Sequence, residues 1–111
     1  MCYDIIDHAI EGHELYYTNF IIAEFKKVLR EDFNYPETVI HEFAAFITRF
    51  FIKGETAHTI ENVCRDSKDD QVLADAASND IDVIITGDKD LLVLKSYKEI
   101  KIITPNDYWK L

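Results

Sequence analysis

The sequence predicts an α/β fold with a mostly parallel sheet, and three observations lead to that prediction. Segments whose apolar residues recur at helical spacing alternate with short apolar or aromatic runs, an order typical of parallel sheets joined by helices. The run from Val83 to Ile85 is apolar at every position. Acidic residues lie at both ends of the 64–90 segment that contains this run. A chain of 111 residues with a hydrophobic fraction of 48% suits one domain spanning residues 1–111.

The first half of the chain predicts three helices and one strand. A first apolar stripe includes Ile5 and ends near Gly12, a common residue after a helix. The aromatic run 15–18 reads as a strand, and Thr18 or Asn19 is a candidate N-cap for the next helix. That helix carries a regular apolar stripe at positions 21, 22, 25, 28 and 29. A turn around residues 34–36 precedes a third helix, rich in phenylalanine, that ends near Gly54.

The second half predicts strands and short helices around the acidic segment. Residues 56–60 form a weak strand pattern, and residues 70 to 79 form a helical one. After the 83–85 strand, leucines at 91, 92 and 94 indicate a short helix, and residues 101–104 a further strand that Pro105 ends. Asn106 is a candidate cap for a last helical turn.

The spacing of the acidic residues predicts a divalent-metal site. A helix from residue 70 to 79 rises roughly 1.5 Å per residue, and the following strand rises roughly 3.3 Å per residue in the opposite sense. The two lengths nearly cancel, so Asp70 and Asp88 should return to one edge of the sheet, the edge where sites of parallel sheets lie. Carboxylates brought together in this way require a cation or a shared proton.

Charge and cysteine content narrow the classes of function. A formal net charge of −9 argues against binding nucleic acid through a general basic field, but it is compatible with a nuclease that meets phosphates through metal ions, and equally with a basic protein partner. Cys2 and Cys64 do not have zinc or disulfide spacing. The acidic N-terminus lacks the basic region of a signal peptide, and no apolar run spans a membrane. We therefore expect a cytoplasmic protein.

Several segments together resemble a known family. They are CRDSKDDQVLADA, DVIITGDKDLLVL and IKIITPNDY, together with the helix NFIIAEFKKVL, in which Thr18 and Glu24 fall near an SxxxxEL-like pattern. These segments resemble a PIN domain, specifically the toxin-like group encoded in toxin–antitoxin operons. The resemblance covers essentially the whole chain and implies a three-layer fold with a mostly parallel central sheet.

The resemblance implies a hydrolase, an endoribonuclease that cleaves RNA phosphodiesters with Mg²⁺ or Mn²⁺. It makes Glu24, Asp70 and Asp88 the catalytic, metal-binding acids. Hard cations take carboxylate oxygens, and they both activate water and neutralise phosphate charge. Candidates of lower rank are Asp66, Asp69, Thr86 and Asp90.

The chain differs from the family pattern at its start. PIN domains begin with a central strand that ends in DTN and supplies a metal-binding Asp, whereas this chain begins at the helix that follows. We therefore expect an N-terminally truncated PIN domain. The alternative function is a catalytically impaired remnant that binds a cognate antitoxin or forms a homo-oligomer. A different metal-binding α/β domain, such as a phosphatase-like fold, is a third possibility with less support.

Each principal acid also has a purely structural interpretation. Ser67 as an N-cap would place Asp70 at the reciprocal capping-box position, and Asp88 would serve as a turn residue. Glu24 would form a surface pair with Lys27, three residues along the helix.

Overall fold

A computed structural model describes residues 2–111, with side chains from Ile6 onward. It confirms the α/β class. The described helices are α1 (Cys2–Gly12), α2 (Asn19–Glu31), α3 (Glu37–Phe50), α4 (Ser67–Ser78), α5 (Lys89–Leu92) and α6 (Pro105–Tyr108). The strands are β1 (Tyr16–Tyr17), β2 (Ile52–Lys53), β3 (Val83–Ile85), β4 (Ser96–Tyr97) and β5 (Ile100–Ile103). The first helix ends at Gly12 as expected, whereas the predicted apolar position Ile5 lies outside the described side chains.

The chain forms two compact units. One unit is His8–Thr56, and the other joins Ala57–Leu111 to the start of the chain through Asp7. The expectation of one domain over residues 1–111 stays a prediction. Among the described residues, none of the helices combines the length and the apolar character needed to cross a membrane.

The His8–Thr56 unit is a helical pair with a two-stranded parallel sheet. Tyr16 of β1 lies opposite Ile52 of β2. The Thr18 side chain accepts a hydrogen bond from the Ile21 N–H at 3.2 Å and caps α2, which confirms one of the two predicted caps. Helices α2 and α3 pack together, and the rings of Phe25 and Phe43 meet edge to face with centroids 6.3 Å apart, a favoured aromatic geometry.

The second unit is built around a three-stranded sheet in the order β3-β5-β4. Strands β3 and β5 are parallel, and β4 runs antiparallel to β5. Its core contains the buried side chains of Leu73 from α4, Leu91 from α5 and Ile102 from β5. Because α4 and β3 are consecutive and share this core, the N-terminal end of α4 and the carboxyl end of β3 belong to the same compact unit.

The described residues hold two small sheets instead of the single central sheet that we expected. The three-layer arrangement and the truncated start stay predictions. The strand predicted at residues 56–60 is wrong, since that segment is irregular. The physical reason is that side chains of α4 take up its backbone groups: the Ala57 N–H donates to Asp75 Oδ1 at 2.8 Å, and the Ala57 carbonyl accepts from Gln71 at 3.0 Å. The predicted Asn106 cap is also wrong, because the Thr104 side chain caps α6.

Candidate metal centre

The turn after β3 holds two aspartates in a defined orientation. Asp88 is the N-cap of α5, and its Oδ1 accepts a hydrogen bond from the Asp90 N–H at 2.9 Å. The Thr86 hydroxyl oxygen in turn accepts a hydrogen bond from the Asp88 N–H at 3.0 Å. These local bonds are typical of Asp and Thr in turns. Asp88 therefore serves as a cap and turn residue, as in its structural interpretation. It also lies beyond the carboxyl end of β3, as the sequence predicts.

The start of α4 presents a third aspartate. Asp66 is the N-cap, and its Oδ1 accepts from the Lys68 N–H at 2.9 Å. The interpretation with Ser67 as the cap is wrong by one residue, since an aspartate at that end combines a capping oxygen with a charge that favours the helix N-terminus. With Asp66 as cap, Asp69 is the third residue of the helix. Its side chain is buried, with 8% exposure.

The carboxylates of Asp69, Asp88 and Asp90 converge. One carboxylate oxygen from each residue can be chosen so that all three atoms lie within 4.8 Å of one another. Asp69 is buried, Asp90 is half-buried and Asp88 is exposed, so the group opens to solvent on one side. Three oxygen donors at this separation match what Mg²⁺ or Mn²⁺ prefers.

Electrostatics within the group show the cost of holding the three carboxylates together. Burial, followed by the negative charges of Asp88 and Asp66, raises the pKa of Asp69 from 3.8 to about 6. Desolvation and like charges both disfavour the ionised form of a carboxyl group. A divalent cation would offset both effects, and the donor set therefore fits such an ion.

Arg65 contacts this group from the segment before α4. Its Nη2 donates to Asp90 Oδ1 at 2.7 Å. The Arg65 side chain is 87% exposed and that of Asp90 is 38% exposed. Sequence reasoning did not single out Arg65. The available signal was its place beside Asp66 in the CRD motif.

Asp70 has a different environment from the one predicted. Its side chain is buried, and its Oδ1 accepts the N–H groups of Cys64 at 2.7 Å and Val63 at 3.0 Å. These bonds, that of Cys64 first, lower the pKa of Asp70. Successive helix residues are rotated by about 100°, so Asp69 reaches the carboxylate group and Asp70 faces the preceding segment. Asp69, a candidate of lower rank, thus belongs to the carboxylate group, and the role of Asp70 as a ligand stays a prediction.

The remaining predicted site residues have these positions. Glu24 lies on α2 in the His8–Thr56 unit and is half-buried, and its role as a ligand stays a prediction. Thr86 supports the backbone of Asp88, and Asp66 caps α4. The group of three converging carboxylates therefore contains one of the three principal candidates, Asp88, and two candidates of lower rank, Asp69 and Asp90.

Comparison with known proteins gives the family. No curated protein matches the chain. The family model described as PIN domain matches residues 2–90, a range that includes α2, α4, β3 and all three carboxylates. PIN domains are usually nucleases and typically use divalent metals, so the match supports a general nuclease function. Because the match extends over most of the sequence, this chain belongs to the PIN domain family.

Proposed function

We propose that this chain is a metal-dependent endoribonuclease of the PIN toxin type, which hydrolyses RNA phosphodiesters with Mg²⁺ or Mn²⁺ held by Asp69, Asp88 and Asp90. The observation that carries the proposal is the convergence of these three carboxylates within 4.8 Å in a chain that belongs to the PIN family. The role of Glu24 as a metal-binding acid stays the expectation that the family resemblance gives.

The residues of the chain would prepare the site before substrate arrives. A divalent cation, when bound, would neutralise charge on the phosphate and lower the pKa of a water molecule. The N–H of Asp90 and the hydroxyl of Thr86 hold the loop of Asp88 in one geometry, and burial in α4 restricts Asp69. Rigid donors of this kind do not have to reorganise during the reaction. Hydrolysis adds water across one P–O bond: the hydroxyl joins phosphorus, and the leaving oxygen takes the proton.

The test is cleavage of single-stranded RNA by the purified chain with Mn²⁺, with Mg²⁺ and with EDTA. Asp69→Asn and Asp88→Asn should each lower the rate at least about a hundredfold, in the range seen when groups that stabilise transition-state charge are removed. Asp82→Asn is the matched control, because this exposed aspartate lies just before β3, at the end of the strand opposite Asp88. Cleavage that persists in EDTA, or Asn variants as active as the wild type, would contradict the proposal.

A second variant set separates Asp69 from Asp70. Asp70→Asn should weaken the attachment of residues 63 and 64 and lower stability, while Mn²⁺ binding measured by calorimetry is retained. Asp69→Asn should lose Mn²⁺ binding without that loss of stability. The reverse pattern would restore Asp70 as the ligand.

A second candidate function is binding to another protein, such as a cognate antitoxin or a second copy of the chain. It is favoured by β3, which pairs with β5 on one side and is the edge strand of its sheet. In the part of the chain that the structure describes, the backbone groups of Val83 and Ile85 on its other side have no ladder partner. Such edges accept an added strand. A chain that sediments as a monomer and cleaves RNA efficiently would contradict this alternative, whereas a stable dimer without nuclease activity would support it.

A further inference from the structure

Arg65 combines a fixed backbone with an exposed cationic side chain. The N–H of Cys64, immediately before it, is held by Asp70 Oδ1 at 2.7 Å, and Asp66, immediately after it, caps α4. The side chain is nevertheless 87% exposed. The guanidinium can therefore change partners without any rearrangement of the helix that carries Asp69.

The present partner of Arg65 is a member of the carboxylate group. Nη2 of Arg65 donates to Asp90 Oδ1 at 2.7 Å. The ion pairs Arg30–Glu37, Lys98–Glu61 and Lys110–Asp107 involve no member of that group. Ion pairs as exposed as this one contribute little to stability. The contact thus places a positive charge at the edge of the site, and breaking it costs the protein little stability.

A guanidinium in this place suits a phosphodiester. Arginine presents five N–H donors in a planar fork that matches two phosphate oxygens, and such bidentate pairs are among the stronger hydrogen bonds. With a net charge of −9, the chain has no general basic field to attract a polyanion. A single well-placed cation therefore has a large part in positioning the substrate.

We propose that Arg65 is a substrate-binding residue. Its guanidinium breaks the ion pair with Asp90 and binds the non-bridging oxygens of a phosphodiester that lies at the Asp69–Asp88–Asp90 group. This inference rests on the proposed function, whose site it completes. The exchange has a second consequence. While Arg65 is paired with Asp90 it competes with a metal ion for that carboxylate, and its transfer to the phosphate leaves Asp90 available to the ion.

The proposal predicts effects of opposite sign in one variant. Arg65→Ala should bind Mn²⁺ about threefold more tightly, because Asp90 loses its competing cation. The same variant should bind single-stranded RNA about tenfold more weakly, and the slope of log affinity against log salt should fall by about 0.7, the value for one phosphate contact on a single strand. A merely structural role would weaken both affinities together and lower the melting temperature.

The experiment uses the full chain with calorimetric titration of Mn²⁺ alone and fluorescence anisotropy of a short RNA in Ca²⁺, with the RNA checked for integrity afterwards. Arg65→Lys should keep the salt slope but recover only part of the affinity, because an ammonium lacks the fork. Lys110→Ala is the matched control, since Lys110 is 81% exposed and pairs at 3.7 Å with Asp107, which is not a member of the carboxylate group. It should behave as the wild type in both titrations.

The outcomes separate this inference from the proposed function. Unchanged RNA affinity and salt slope in Arg65→Ala overturn the inference, even if the wild type cleaves RNA. Joint loss of Mn²⁺ and RNA binding with a lowered melting temperature also overturns it, because Arg65 would then be structural. Wild-type protein that binds RNA through Arg65 but does not cleave it upholds the inference and contradicts the nuclease proposal.

Discussion

Replacing Asp69 with Asn should make the metal-free protein more stable while abolishing its metal binding. Burial and the neighbouring carboxylates raise the pKa of Asp69 to about 6, so the folded protein holds this proton to a higher pH than the unfolded chain does. Between about pH 4 and about pH 6 the folded state binds more protons, and the free energy of unfolding therefore falls as pH rises. Above that interval the ionised carboxylate lowers the free energy of unfolding by a constant amount. A neutral amide of the same shape removes this destabilisation.

The magnitude follows from the two pKa values. The difference between 3.8 and about 6 corresponds to at most about 3 kcal/mol, at 1.36 kcal/mol for each pH unit. Because Asp88 is exposed and Asp90 is half-buried, solvent screens part of the repulsion. We therefore expect Asp69→Asn to raise the free energy of unfolding by about 1–2 kcal/mol at pH 7.5, and by almost nothing at pH 4.

The assay is urea denaturation of both proteins at pH 4, 5, 6 and 7.5 in EDTA. The quantity compared is the difference in unfolding free energy between variant and wild type. Asp70→Asn is the control, because the pKa of this neighbouring residue is shifted in the opposite direction. Hydrogen bonds from Cys64 and Val63 lower the pKa of Asp70. Its carboxylate therefore stabilises the fold above its ordinary pKa and loses that effect as pH falls. This variant should be less stable than the wild type at pH 7.5.

Saturating Mn²⁺ extends the same experiment. A metal at one hundred times its dissociation constant should stabilise the wild type by about 2.7 kcal/mol, and it should not stabilise Asp69→Asn. Lower stability of Asp69→Asn than of the wild type at pH 7.5 in EDTA would contradict this prediction, as would a stability advantage that does not shrink between pH 6 and pH 4.

Three further predictions concern the support of the site. Leu73→Ala removes a side chain that is 1% exposed and should cost about 2–5 kcal/mol in urea denaturation, whereas Val93→Ala, at a position 73% exposed, should change stability by less than about 0.5 kcal/mol; equal effects would contradict the core assignment. Asp75→Ala leaves the two donors that share its Oδ1 without their acceptor and should cost about 1–3 kcal/mol, measured in the same way, and a neutral result would refute the anchoring role. Thr86→Ala removes the hydroxyl that holds the Asp88 N–H and should slow RNA cleavage about tenfold with the melting temperature nearly unchanged, a loss that Thr86→Ser should restore; full activity in Thr86→Ala would exclude this support.

The parts of the fold that could be predicted are those in which neighbours along the chain decide the conformation. The stripe of α2 and its cap at Thr18 depend on spacing and on one hydroxyl oxygen. Asp88 follows the apolar β3 after two intervening residues and thus places a carboxylate near the end of the strand. In both places local preference and burial favour the same structure, and the structure confirms them.

Residues 56–60 could not be assigned correctly, because the partner of their backbone is distant in sequence. Their pattern is compatible with a strand, but Ala57 bonds to Asp75 and Gln71, 18 and 14 residues away. The β-propensity of a segment does not reveal such long-range hydrogen bonds, since it depends on the surface against which the segment packs. Pairing of the strands into two sheets depends on the same kind of long-range contact.

By itself the sequence determined the PIN resemblance, the acidic character of the 64–90 segment and the place of Asp88 after β3. Only the tertiary structure placed Asp69, and not Asp70, beside Asp88 and Asp90, and brought Arg65 to Asp90. The helix begins one residue earlier than a Ser67 cap would require, and a shift of one residue turns a side chain by about 100°. The carboxylate that joins the site is thus selected by the cap of α4 and by the two N–H groups that bind Asp70, contacts that a periodic pattern does not encode.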